Sequence, residues 1–278
     1  MTVTLKLKDI PDELIEDIAF QLKDYLVPIC ALSPNSADRP FKFVGSGTLV
    51  KIDKTFYVLT AAHVWSATKD MEAISLVLTD FPSEFKFPRA IPIKQLWDGK
   101  ISEWGPDLAL LELPYATVST IEVYKSFLNL AQQREVWTGH TVSPEKGLWV
   151  ITGMVGEFSR FVHHSEKKIV NATAEARAFF SVIDQAHQQD GYDYLDLGAD
   201  LGLSQVPQSF VGVSGGGLWQ ISLTKDKSEK ISWDGKRHFR GVAFWQSSIT
   251  DDRRNIRCHG PQSIFQKAWD EWGLPKPR

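Results

Sequence analysis

His63 closes the apolar run "YVLTAAH" (57–63), Asp107 opens "DLALLEL" (107–113), and Ser214 sits within "GVSGGGL" (212–218). Imidazole, carboxylate and alcohol are groups that together can hydrolyse an amide at neutral pH. A serine hydroxyl is a weak nucleophile alone. A neighbouring imidazole must take its proton, and a buried carboxylate must hold that imidazole in one tautomer and stabilise its charged form. Donors aimed at the developing oxyanion complete the set. Glycines on both sides of Ser214 admit left-handed torsions and close approach of another backbone. The N–H groups of Gly212 and Ser214 are thus candidate oxyanion donors. Asp107 heads a strand too apolar to bury a carboxylate without a hydrogen-bond donor, and a histidine Nδ1–H would serve.

Taken singly, each motif has a plain alternative: a structural histidine, a solvated aspartate after Gly105-Pro106, a serine in a flexible turn. Their joint occurrence in the order His, Asp, Ser, at separations of 44 and 107 residues, is what distinguishes them.

These residues need a scaffold. Leu14, Ile15, Ile18, Ala19, Leu22 and Leu26 recur at helical spacing, which predicts a helix over 11–26. Residues 31–40 read as a loop. "FKFVGSGTLVKID" and "TFYVLTAAHV" read as a hairpin joined through "KIDKT". "EAISLVLTD", "RAIPIKQLW" and "PDLALLELP" continue as strands to about residue 114, and a polar, less ordered stretch runs to Gln133. A second strand group starts at "EVWTGHTV" and ends at "FRGVAFWQSS"; within it "ATAEARAFFSVIDQAHQQ" (172–189) looks helical. Ile264, Phe265, Ala268, Trp269 and Trp272 predict a C-terminal helix. The expectation is an all-β protein of two barrels or sandwiches with helices at its ends. The first unit would be 1–130, carrying His63 and Asp107, and the second 131–278, carrying Ser214.

Composition narrows the partners. The 278 residues are 43% hydrophobic and 23% charged, with a net charge of −3, so no global charge favours nucleic acid or an anionic membrane. No run of 18 apolar residues suggests a membrane span, and Lys6, Lys8, Asp9, Asp12 and Glu13 interrupt any leader-like core. Cys30 and Cys258 alone make neither a disulfide framework nor a zinc site. His163, His164 and His187 lack metal-ligand company, and the basic run "GKRHFR" (235–240) reads as a solvated hairpin. These features point to the cytoplasm, with no metal or cofactor.

"GSGTLV…YVLTAAHV", "DLALLEL" and "GVSGGGL" together resemble the three signatures of the chymotrypsin-like (trypsin-like) serine peptidases, in order, over residues 40–250. The resemblance implies two six-stranded antiparallel β-barrels with a catalytic cleft between them. It implies His63 as general base and acid, Asp107 as its orienting partner, Ser214 as nucleophile, and Gly212 with Ser214 as the oxyanion hole. The substrate would be a protein or peptide cleaved through an acyl-enzyme. The chain departs from secreted members in two places: Val213 stands where they carry an activating Asp, and Val64 where a cysteine follows the catalytic histidine. Both suit an intracellular, bacterial-type branch. Gln208 occupies the approximate specificity position, and Phe244, Trp245 and Gln246 are further pocket candidates, with Gln246 narrowing the mouth and an uncharged P1 residue expected. The long 160–203 segment would cover the cleft or dock a regulatory partner. Two rivals stand beside this reading. One is a non-catalytic peptide- or partner-binding module on the same fold. The other is a serine esterase using Ser214 with His259 and Asp251 or Asp252.

Overall fold

The computed structural model describes residues 9–32, 41–71, 73–78, 84–88, 90–137, 147–164, 169–173, 176–202, 206–228 and 230–275. Of the loop expected at 31–40, residues 31 and 32 end a strand instead and 33–40 lie outside the described residues, as does the start of the second strand group at 138–142. Two antiparallel sheets carry the fold. The first orders its strands β5(Glu84–Pro88), β4(Ala73–Val77), β1(Leu26–Leu32), β2(Phe41–Ile52), β3(Thr55–Thr60), β7(Asp107–Glu112) and β6(Ile93–Trp97), and a two-residue β8(Leu128–Asn129) runs parallel to β2. The second orders β12(Ala176–Ser181), β9(Leu148–Met154), β15(Gly217–Lys225), β16(Ile231–Gln246), β17(Arg253–His259), β14(Tyr192–Asp200) and β13(Ile183–Gln189). A separate hairpin pairs β10(Arg160–His164) with β11(Ile169–Thr173). Each main path holds seven strands rather than six, and neither closes on itself among the described residues.

The β2–β3 hairpin forms as its sequence suggests, with Ile52 paired to Thr55 around a two-residue turn and Asp53 at φ +53°. Helix α1(Asp12–Lys23) buries Ile18 and Leu22, and Asp12 and Glu13 in its first turn oppose the positive end of the helix dipole. Its apolar face joins a core that also takes Val50, Leu59 and Leu110 from the first sheet and Val150, Trp219 and Phe239 from the second. The C-terminal segment is helical: Ser263–Ala268 is wound as a π-helix and runs into a last α-turn. The Asp193 carboxylate caps its start from β14 by accepting from the N–H groups of Gln262 (3.1 Å) and Ser263 (2.6 Å).

Three local readings are overturned. The helical reading of 172–189 fails because Ala176–Ser181 pairs along β9 and Ile183–Gln189 along β14. Backbone pairing at a sheet edge there outweighs the intrinsic helix preference of an Ala-rich run. The stretch to Gln133 is ordered, holding α3(Tyr115–Glu122) with Val118 and Ile121 buried, then β8 and α4(Leu130–Trp137), so Glu135, Val136 and Trp137 end a helix rather than begin a strand. Residues 235–240 lie within β16, where a bulge at Gly235 (φ +81°) replaces the expected hairpin and Arg237 packs its guanidinium on Tyr25.

Candidate active site

The apolar run is β3 as far as Thr60, and the chain then turns at Ala61 into a short helix, α2(Ala62–Ser66), that carries His63. Ala61 and Ala62 are fully buried, so their small side chains let this turn settle onto the core. Gly45 on β2 leaves room for Val64, since a Cβ there would stand 2.6 Å from a Val64 methyl. Asp107 begins β7, next to β3 in the sheet, and its side chain is nearly inaccessible. Its carboxylate accepts twice from one residue: from the backbone N–H of His63 (2.9 Å) and from His63 Nδ1 (2.5 Å). Both oxygens are therefore committed to His63, and the imidazole is held with its Nε2 directed away from the acid.

Ser214 comes from the second half of the chain. Val213 before it is buried among Phe210, Leu218 and Cys258, so apolar packing holds this loop where a charge would stand in secreted members of the resembled family. Gly212 and Gly215 have φ of +98° and +89°, torsions that exclude ordinary side chains. A Cβ on Gly215 would collide with Ser46 O and Thr60 Oγ1.

Val211 O accepts from Gly156 N and Val213 O from Gly216 N, both at 2.8 Å. A trans peptide places its C=O and N–H on opposite sides. Anchoring those two carbonyls therefore turns the N–H groups of Gly212 and Ser214 the other way, and neither has a protein partner among the described residues. His63, Gly212 and Ser214 line one cavity of about 310 Å³. The Oγ of Ser214 donates to Phe244 O over a long 3.4 Å rather than to His63. A larger cavity of about 700 Å³, between α1 and β12, shares only Phe210 and Ile256 with it.

Phe244, Trp245 and Gln246 also line the smaller cavity, beside Ile101, Phe210 and Val211. Gln208 does not: its amide donates to Leu201 O instead (3.1 Å), away from the cavity wall. Gln246 Oε1 accepts from Phe210 N (2.9 Å) and Arg254 Nη1 (2.7 Å), tying β16 to the loop before Ser214. His163 and His164 lie on β10, and His187 pairs with Asp196 (3.2 Å). No group of three metal-ligating side chains occurs among the described residues, and no helix there is long and apolar enough to cross a membrane.

Sequence reasoning missed Ser46 and Arg257, and weighed His259 only as the base of the esterase rival. Ser46 on β2 is fully buried: its N–H donates to Ser214 O (2.8 Å), and its hydroxyl donates to Gly212 O (2.7 Å) while accepting from Met154 N (2.7 Å). It thereby pins the serine loop to the first sheet. The "GSG" around it was the available signal. Arg257 makes a two-pronged bond to Asp196 (2.7 Å each), donates to Glu103 O (3.0 Å) and stacks on Trp104 (3.9 Å), holding the loop that leads into Asp107. His259 contacts Asp107 itself, and nothing in its own segment signals this.

No family model matches the sequence, and no curated protein matches it. A solved structure described as "Aromatic interactions drive the coupled folding and binding of the intrinsically disordered Sesbania mosaic virus VPg protein" is similar at 15% identity and a TM-score of 0.45, covering 88% of this chain and 96% of that one. A likeness at that level carries no statement about fold or function.

Proposed function

We propose that the protein is a serine endopeptidase of the trypsin-like kind, its two sheets corresponding to two β-barrels with the reacting groups in the cleft between them. The observation that carries this reading is that His63, doubly bonded to Asp107, lines the same cavity as Ser214 and Gly212, whose N–H groups have no protein partner among the described residues. Turning Ser214 about χ1 from Phe244 O toward His63 Nε2 would let the imidazole take the hydroxyl proton as Oγ attacks a substrate carbonyl. The carboxylate then stabilises the imidazolium, and the N–H groups of Gly212 and Ser214 receive the oxyanion. His63 returns the proton to the leaving amine, and water repeats the sequence on the acyl-enzyme. Among the described residues the cavity is lined by apolar side chains, glycine, His63, Ser214 and Gln246, with no carboxylate, lysine or arginine. That lining favours an uncharged P1 side chain.

The test is labelling by a fluorophosphonate together with cleavage of a peptide library. Wild type is expected to label at Ser214, and Ser214→Ala and His63→Ala to lose labelling and cleavage. Cleavage dominated by Arg or Lys at P1 would contradict the pocket assignment. A second reading, a peptide-binding module without turnover, is favoured by the Ser214 contact with Phe244 O; equal, negligible labelling of wild type and His63→Ala would select it.

A further inference from the structure

His259 on β17 is fully buried, yet it does not behave as filler. Its Nε2 accepts the backbone N–H of Asp107 at 3.0 Å, a bond from the second sheet to the first. An accepting Nε2 means a neutral ring with its proton on Nδ1, and that Nδ1 has no partner among the described residues. An apolar side chain would fill the same space and avoid the unpaired Nδ1, but it would leave the Asp107 N–H without an acceptor. What the imidazole adds is an acceptor at this junction.

The surroundings are shaped for that bond. Gly105 leaves the approach open, since a Cβ there would stand 2.7 Å from Asp107 N and 2.8 Å from His259 Nε2. A face of the ring stacks on Phe244, with centroids 4.3 Å apart at 23°. Phe244 is the residue whose carbonyl touches Ser214 Oγ. A continuous line of contacts therefore runs from Ser214 through Phe244 and His259 to Asp107 and His63.

We propose that His259 is a positioning residue, which registers the His63–Asp107 pair on one sheet against Ser214 on the other through the acceptor nitrogen of its ring. This rests on the peptidase reading above. The titratable groups packed against the ring are Asp107 from β7 and Tyr192 and Tyr194 from β14. Burial holds both tyrosines above their ordinary range, and burial, outweighing the attraction of Asp107, pushes His259 down to about 3. The ring thus keeps its acceptor nitrogen at neutral pH.

The experiment uses the full chain and three variants: His259→Phe removes the acceptor, His259→Gln supplies another at similar reach, and Gly105→Ala displaces the ring. It measures melting temperature, the rate of fluorophosphonate labelling across the histidine pH range, and the far-downfield proton resonance of the His63–Asp107 bond. His259→Phe is expected to label about 10- to 100-fold more slowly per folded molecule and to shift that resonance, with His259→Gln recovering most of both. Equal labelling, pH profile and resonance in wild type, His259→Phe and His259→Gln would overturn the proposal. Should His259→Phe not fold, Gly105→Ala is compared with wild type by the same criteria. The resonance is independent of turnover, so an unlabelled wild type whose resonance still depends on His259 would refute the peptidase and leave the positioning role standing.

Discussion

Replacing Asp107 by Asn separates the role of the carboxylate from its shape. In the native site one oxygen accepts from the backbone N–H of His63 at 2.9 Å and the other from Nδ1 at 2.5 Å. Asparagine offers one acceptor oxygen and one donor amide. A backbone N–H has no second tautomer, so the oxygen must face it; the reverse orientation would oppose two donors. The amide NH₂ then faces Nδ1 and forces the imidazole to carry its proton on Nε2. An Nε2–H cannot accept the proton of Ser214. The expected loss is about 10⁴-fold in kcat, or roughly 5.4 kcal/mol of transition-state stabilisation. The assay is the labelling rate and peptide turnover of wild type, Asp107→Asn and Asp107→Ala, with melting temperatures alongside. Asp107→Ala frees the ring to choose its tautomer, so Asp107→Asn should be no faster than Asp107→Ala despite being closer in shape. A folded Asp107→Asn variant within tenfold of wild type would refute the tautomer argument.

Ser46→Ala removes the hydroxyl that bridges Gly212 O and Met154 N and leaves a buried N–H unpaired. The cost should be about 1–3 kcal/mol, seen in calorimetry as a melting temperature lower by roughly 2–4 °C per kcal/mol; an unchanged transition would contradict it. Arg257→Met leaves the buried Asp196 carboxylate with only its 3.2 Å contact to His187 and should destabilise by about 3–5 kcal/mol, read from urea unfolding. For pH, His259 has a folded pKa of about 3 against an ordinary 6.5. Between those values the unfolded chain binds the extra proton, so stability rises with pH. Acidification below about 6.5 should cost up to about 1.4 kcal/mol per unit from this group, with no contribution above. His259→Gln should flatten that part of the urea midpoint against pH; parallel slopes would sink the assignment.

The terminal helices, the β2–β3 hairpin and the strands carrying Asp107 and flanking Ser214 were legible because their signals are local: apolar periodicity, a two-residue turn, glycines where the backbone is left-handed. The segment 172–189 was misread because its Ala-rich composition favours a helix, whereas Ala176–Ser181 is an edge strand decided by pairing with the more remote β9, and Ile183–Gln189 turns through Asp190-Gly191 to pair with β14. Gln208 was misplaced for a related reason, since counting residues back from Ser214 says nothing of where the loop 206–210 turns.

The sequence by itself determined the reacting groups, their order, and the glycine-borne backbone around Ser214, because side-chain chemistry and torsional freedom belong to single residues and near neighbours. Only the tertiary structure decided that Asp107 gives both oxygens to His63, that Ser46 and His259 tie the two sheets together at the site, and that Gln246 rather than Gln208 borders the cavity. Those facts depend on distances between residues as far apart as Ser46 and Ser214, 168 positions, which no local pattern encodes.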